Sequence, residues 1–303
     1  MKKRTLLGAL AMGVAASVAL VGCASGTGDS AGSGSGSGDA QSKKITVGVF
    51  NGWPEGEAVS YLWQAVLEKQ GYDVKLEYAD AGPVFAGLAK GDYDVTFDAW
   101  LPTTHASYFE QYGDDLVKVG AWNNDAKLTL TVNADAPIDS IDELAANADK
   151  FDNRIIGIEP GAGLTEAMEK KVIPQYGLDD MDFITSSTPA MLAELKKALD
   201  ADEDIVVTLW RPHWAYDAYD LKDLKDPKGA LGDAESINTV TRTGFADDQA
   251  EANKWFTAFK MDSDLLFSLE NVMFREDHKQ SEYPEIVKKW MADNQDFVDS
   301  MTK

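Results

Sequence analysis

The chain has 303 residues, 44% of them hydrophobic, which is enough for a sizeable core and sets an expectation of about two domains. It carries 51 acidic against 28 basic residues, a formal net charge of −23. So acidic a surface excludes nucleic acid as a partner, and anionic lipid bound through surface charge. It either favours cations in the surrounding solution or serves only to keep an exported protein soluble.

Lys2, Lys3 and Arg4 precede an apolar, small-residue run from Leu6 to Gly22. Residues 1–22 therefore read as a secretory leader, too short and too rich in Ala and Gly to be a membrane span. Cys23 is the single cysteine and cannot form an internal disulfide. Leu20-Val21-Gly22-Cys23 matches the bacterial lipobox, in which the chain is cut before the cysteine and the cysteine is acylated. Residues 23–43 then form a Gly/Ser-rich tether. The expected location is the outer face of the cell membrane, held by a lipid anchor alone.

From Lys44 the pattern alternates between strand and helix. Lys44 to Phe50 alternates as a strand does, and Asn51-Gly52-Trp53-Pro54 is turn chemistry with an aromatic in it. Glu57 to Gln70 has helical spacing and is closed by Gly71. Asp73 to Ala79 is a second strand, Gly82 to Lys90 a helix, and Val95 to Trp100 a third strand. Val117 to Trp122 and Leu128 to Asn133 read as two further extended runs, and Ile141 to Ala148 as a short helix capped by Ser140 or Asp139. The pattern then restarts: a strand at Arg154 to Ile158, a Gly-rich loop, a helix from Thr165 to Tyr176, a strand at Asp182 to Thr185, a helix from Pro189 to Leu199 and a strand at Ile205 to Trp210. Ile237 to Thr243 looks like a return strand; Trp255 to Phe259, Asp264 to Arg275 and Tyr283 to Met301 read as helices.

A repeat underlies this order. Each half ends a strand with Trp-x-Pro, at Trp100-Leu101-Pro102 and Trp210-Arg211-Pro212, after a Pro-led helix and before a pair of tyrosines. The fold class is thus α/β, with two related lobes of crossover-connected strands: residues 44–130 plus 238–303 in one, 131–237 in the other, joined by two hinge crossovers. In open α/β sheets ligands sit at the carboxyl ends of strands, so both tryptophans are expected at the cleft between lobes. Trp53, beside a turn after the first strand, joins them. Trp63, Trp255 and Trp290 lie at helical spacing and are expected in the core; Trp122 and Trp214 are undecided.

Catalytic signatures are missing. There are three histidines, no Gly-x-Ser-x-Gly elbow, no His-Glu-x-x-His and no phosphate loop, and the acidic run Asp200 to Asp204 lacks the spacing of a calcium loop. No metal or cofactor is expected. A tryptophan-walled cleft suits a sugar, which would demand many polar partners, or a quaternary ammonium, which has no N–H and is held by cation–π attraction of about 0.5–2 kcal/mol per ring. A carboxylate on the same ligand would need donors. The loop Glu159 to Leu164 runs into a helix and offers free backbone N–H groups, unless it is simply a strand-to-helix turn; His105 can donate from its ring.

The motifs AWLPTTH (Ala99 to His105), IEPGAGL (Ile158 to Leu164), VVTLWRPHW (Val206 to Trp214) and DLKDLKDPKG (Asp220 to Gly229) carry a resemblance to the glycine betaine-binding proteins of bacterial ABC importers, over essentially all of residues 44–300. The resemblance implies a two-lobed periplasmic-binding-protein fold of type II kind that closes on its ligand, and partners in an ABC permease and its ATPase subunits; a monomer is expected. It implies a trimethylammonium box of Trp53, Trp100 and Trp210, with carboxylate contacts at Gly163, Leu164 and His105. His213 and Trp214 are further candidates. Glu55, two residues after Trp53, resembles a carboxylate of choline-binding relatives, or is a first-turn helix acid favourable to the dipole. Choline, carnitine and proline betaine therefore stay open as ligands beside glycine betaine. An enzyme acting on quaternary amines and a non-transport surface lipoprotein are the remote alternatives.

Overall fold

The computed structural model describes residues 43–276 and 278–303. The leader, Cys23 and most of the Gly/Ser tether lie outside the described residues. The elements follow in order: β1 (Lys44–Phe50), α1 (Pro54–Lys69), β2 (Asp73–Ala79), α2 (Ala81–Lys90), β3 (Val95–Leu101), α3 (Ala106–Tyr112) and β4 (Leu116–Asn133). Then come β5 (Arg154–Ile156), α4 (Gly163–Ala167), α5 (Ile173–Tyr176), β6 (Asp182–Ile184), α6 (Thr188–Asp200), β7 (Val206–Arg211), α7 (Ala215–Ala218) and β8 (Leu221–Asp223). The chain closes with β9 (Glu235–Arg242), α8 (Phe245–Asp248), α9 (Ala250–Ala258), α10 (Ser263–Phe274), α11 (Tyr283–Asp293) and α12 (Gln295–Ser300).

The repeat in the sequence is a repeat in topology. The strands run in the order β2-β1-β3-β9-β4-β7-β5-β6, with β8 paired to β4. On one side β1 pairs in parallel with β2 and β3, and β9 adds antiparallel to β3. On the other, β5 pairs in parallel with β6 and β7, and β4 adds antiparallel to β7. Each half is therefore three parallel strands in the order 2-1-3 with one antiparallel strand beyond the third. This is the crossover-connected arrangement that the strand–helix alternation predicts.

The two extended runs expected at Val117–Trp122 and Leu128–Asn133 are one 18-residue strand, β4. Its first part pairs with β9 as far as Ala126 opposite Glu235; from Lys127 opposite Arg211 onward it pairs with β7. The intervening Asn123-Asn124-Asp125 looks like a turn but is a bulged stretch of ladder, with the Asn123 amide bonded to the Met261 carbonyl and the Ser263 hydroxyl. Three helical expectations also change. Ile141 to Ala148 is 3₁₀ rather than α, interrupted at Asn147, whose φ is −123°. Ser140 is the N-cap but its side chain makes no capping bond. The helix of Thr165–Tyr176 starts at Gly163 and passes through a π turn at Met168–Val172. The last helix breaks at Asn294 into α11 and α12.

The core of the first half forms where α1, α9 and β3 meet. Trp63 is fully buried there, stacked on Phe97 at 6.0 Å and edge-on to Phe256 and Phe259 at 4.8 and 5.2 Å. Trp255 and Trp290 are buried too, as their helical spacing predicts. Trp122 is settled as core, its indole N–H donating to the Phe97 carbonyl at 2.7 Å. No helix among the described residues is long and apolar enough to cross a membrane. Truncating Trp63 to alanine removes the centre of this cluster and is expected to cost about 3–5 kcal/mol, read as a lowered midpoint of urea unfolding at unchanged slope.

Candidate functional site

Trp53, Trp100 and Trp210 meet. Trp53 is the N-cap of α1, Trp100 is near the end of β3 and Trp210 near the end of β7. Together with Glu55, Thr104, Leu128, Ile158 and Leu164 they wall a small pocket at the carboxyl ends of the parallel strands. Trp53 and Trp210 lie 5.9 Å apart between ring centroids at an interplanar angle of 52°. Both Trp-x-Pro motifs contain a cis peptide bond, Leu101–Pro102 and Arg211–Pro212.

Each indole N–H of the pocket donates to a buried carboxyl. Trp53 Nε1 donates to Glu159 Oε1 at 2.6 Å, Trp100 Nε1 to Asp98 Oδ1 at 2.9 Å, and Trp210 Nε1 to Glu55 Oε2 at 2.9 Å. Two of these bonds cross between the halves, and they are reciprocal: the first half's Trp53 reaches an acid of the second, and the second half's Trp210 reaches an acid of the first. Glu159 is itself held by the backbone N–H and hydroxyl of Thr188, both at 3.0 Å, where α6 begins. The rings are thus anchored by their edges.

Glu55 is not an exposed first-turn acid. It is fully buried, its Oε1 has no hydrogen-bond partner, and burial, only partly opposed by the Trp210 and Trp100 indoles, pushes its carboxyl up to about 8. Asp98 beside it is also raised, first by burial and then by the Glu55 charge. Gly56 lies against Asp98: a Cβ there would sit 2.3 Å from Asp98 Oδ2, so the helix approaches this closely only because the residue is glycine.

His105 follows Trp100 and stacks on Trp53 at 5.6 Å with nearly parallel planes. Its Nδ1 accepts the Trp100 backbone N–H at 2.9 Å, which places the ring proton on Nε2. Nε2 is buried without a partner, and burial pushes the pKa down to about 3, so the ring is a neutral donor. His213 repeats this after Trp210: Nδ1 accepts the Ala215 N–H at 3.0 Å, Nε2 is unpartnered, and its pKa is also pushed down to about 3 by burial. His213 packs edge-on to Trp210 at 4.9 Å, outside the pocket wall, and the half-buried Trp214 stacks on its far side at 5.6 Å. None of His105, His213 and Trp214 lines the pocket; His105 packs behind it against Trp53.

Leu164 lines the pocket, while Gly163 sits behind it, facing Thr104 across the halves. A Cβ on Gly163 would fall 2.2 Å from the Thr104 carbonyl oxygen. The N–H groups at this helix start have no intrahelical partner by the geometry of the α-helix. Thr104 is set by a residue that the sequence does not single out. Glu235, at the start of β9 where β4 changes partner, accepts the N–H of Thr103 at 2.7 Å, the N–H of Thr104 at 2.9 Å and the Thr104 hydroxyl. Of the acids missed by sequence reasoning, Asp98 carried a signal, a charge inside the apolar run Val95 to Leu101. Glu159 and Glu235 carried none, because their partners are distant in the chain.

Residues 43–293 match the family described as the substrate binding domain of ABC-type glycine betaine transport system. The glycine betaine/carnitine transport binding protein GbuC of Listeria monocytogenes is 36% identical over 174 residues, which is 55% of this chain and 54% of that protein, so the match spans about half of the relative. Lactococcal OpuAC, in its closed-liganded conformation with glycine betaine, superposes with a TM-score of 0.79 at 32% identity, covering 86% of this chain and 99% of that one. The glycine/betaine/L-proline-binding protein ProX of Borrelia burgdorferi does so with 0.79 at 31%, covering 86% and 97%.

Two substitutions test the site's construction. Glu235→Ala leaves the N–H of Thr103 and the buried N–H and hydroxyl of Thr104 without their acceptor and is expected to cost about 2–4 kcal/mol, measured by chemical denaturation. Gly163→Ala is expected to leave the unfolding midpoint nearly unchanged but to hold the halves apart, read as a larger radius of gyration in solution X-ray scattering.

Proposed function

The chain belongs to the family of substrate-binding domains of ABC-type glycine betaine transport systems, and on that premise we propose that it is an extracytoplasmic receptor that binds glycine betaine, or a close relative such as proline betaine, and delivers it to an ABC permease for osmoprotectant uptake. The family is one of transport binding proteins, not of enzymes. The observation that carries the proposal is the pocket of three tryptophans whose edges are tied down by carboxyls and whose faces converge. A quaternary ammonium offers nothing to a hydrogen bond, and aromatic faces are what holds it.

In this reading the trimethylammonium group sits among Trp53, Trp100 and Trp210. The ligand's carboxylate takes the free N–H groups of Gly163 and Leu164 and the Nε2–H of His105, whose neutrality and fixed tautomer suit it to donate. Residues 44–130 plus 238–303 act as one lobe and 131–237 as the other, and the two indole–carboxyl bonds that cross between them form on closure. Ligand shifts the population towards the closed form because both walls touch it only there. Cleavage before Cys23 and acylation of that residue tether the receptor, as a monomer, to the outer face of the membrane.

A second reading, choline, is favoured by one observation: Glu55 lines the pocket with an unpartnered oxygen that a hydroxyl or a cation without its own carboxylate would satisfy. Calorimetric titration with glycine betaine, choline, carnitine and, as control, glucose separates the readings. One-to-one betaine binding is expected; silence with every quaternary amine would remove the assignment. Trp100→Ala and Trp210→Ala are each expected to weaken betaine about 100-fold, roughly 2–3 kcal/mol, while circular dichroism stays that of the folded protein. His105→Ala is expected to weaken betaine more than choline, and equal losses would mean that His105 does not meet the carboxylate.

A further inference from the structure

Beneath the tryptophan pocket lies a group of acids that cation–π binding does not require. Glu55 from the first turn of α1, Asp98 from β3 and Glu270 from α10 are each buried; Asp98 feels the charges of Glu55 and Glu270, Glu270 that of Glu55, and Glu55 that of Glu159. Their hydrogen bonding is incomplete. Glu55 Oε1, Asp98 Oδ2 and both oxygens of Glu270 have no partner, although the backbone of Trp214 favours the charged form of Glu270. Only Glu55 opens onto the pocket. Among the described residues no cluster has the geometry to hold a metal ion.

The surroundings give these acids no counter-charge. Glu55 faces Asp98 from β3, Glu270 from α10 and Glu159 from the loop after β5, all acidic. On its own helix Glu57 is turned to Tyr78 and Gln280, and from α11 Tyr283 bears on Glu57 and Lys288 on Glu68. His105 and His213 are buried and neutral. Three carboxyls so enclosed cannot all ionise, because desolvation and mutual repulsion both oppose it. The cluster therefore holds protons at neutral pH unless a cation arrives.

We propose that Glu55, Asp98 and Glu270 form a proton-sharing carboxyl cluster that provides the counter-charge of the bound quaternary ammonium, so that each ligand cation enters in exchange for a proton released to solvent. The proposal rests on the functional reading above and deepens it. The O–H bond of one carboxyl breaks, the proton passes to solvent, and the carboxylate left behind, centred on Glu55, pairs with the ligand's nitrogen. The same ionisation strengthens the Trp210 N–H to Glu55 bond, since a charged acceptor binds an N–H about twice as strongly as a neutral one. That bond crosses between the halves, so loss of the proton also favours closure.

The sign follows from the raised carboxyl. Below about 8 Glu55 enclosed as in this structure is protonated, and a cation that fills the pocket must displace the proton; above that pH the site is already ionised and nothing is released. The test is calorimetry of the whole protein at pH 6.5 with glycine betaine and with choline, in buffers of different ionisation heat, repeated from pH 6 to 9. The expected result is release of close to one proton per ligand at pH 6.5, falling towards zero at pH 9. Affinity should rise up to about tenfold per pH unit below 8 and then level off. The carbon isostere 3,3-dimethylbutanoate, which has the shape of betaine without its positive charge, is expected to bind weakly and release none. Glu55→Gln is expected to retain weakened betaine binding with no proton release and a flat pH profile; if it fails to fold, Asp98→Asn, which leaves one carboxyl fewer, should reduce the release and shift its pH range downward. Betaine binding with no buffer-dependent heat and a constant affinity from pH 6 to 9 overturns the exchange while leaving the receptor intact. No binding by either cation overturns the receptor reading itself.

Discussion

The pocket depends on indole N–H groups that donate to buried carboxyls. An indole has one polar atom, and once that atom is bonded the ring can neither rotate nor slide without leaving a buried donor unsatisfied. The three bonds at Trp53, Trp100 and Trp210 thus fix three aromatic faces at once. They also explain features that look unrelated. Gly56 has no side chain because Asp98 occupies that space, and Thr188 turns both its N–H and its hydroxyl to Glu159. A carboxyl on the indole edge further withdraws positive charge from the ring's rim and leaves the faces richer in electrons, which suits a cation.

Histidine is used twice in one way. In both halves a histidine that follows the Trp-x-Pro motif accepts a backbone N–H at Nδ1 and keeps a proton on a buried Nε2. His105 stacks on Trp53, and His213 packs edge-on to Trp210 with Trp214 stacked on it. Spacing differs as well: His105 lies five residues after its tryptophan and His213 three. The halves share a scaffold, and this small difference in turn length sets one histidine against the face of Trp53 and the other against the edge of Trp210.

Much of this was legible in the sequence, for physical reasons. An apolar run that ends in tryptophan and proline can only be a buried strand leaving its sheet, and two copies of it announce two halves facing one another. That Trp53, Trp100 and Trp210 would come together followed from that. Less legible were the features that depend on partners far along the chain. β4 looked like two strands because Asn123-Asn124-Asp125 has the composition of a turn, yet its polar groups are met by the segment between α9 and α10. Glu235 was hidden in the run Glu235-Ser236-Ile237, where nothing local says that it will take up the N–H groups of Thr103 and Thr104. The break at Asn294 was missed because apolar spacing continues on either side of it.

The exchange of antiparallel strands has a consequence for how the molecule is made. The first half is completed by β9, which the chain reaches only after it has traversed the whole of the second half. While the polypeptide emerges amino end first, β3 stands as a bare edge with its ladder half made, and a bare edge invites pairing with any other extended chain. Assembly of the leading half therefore waits on the trailing one, and the protein matures as a whole rather than half by half.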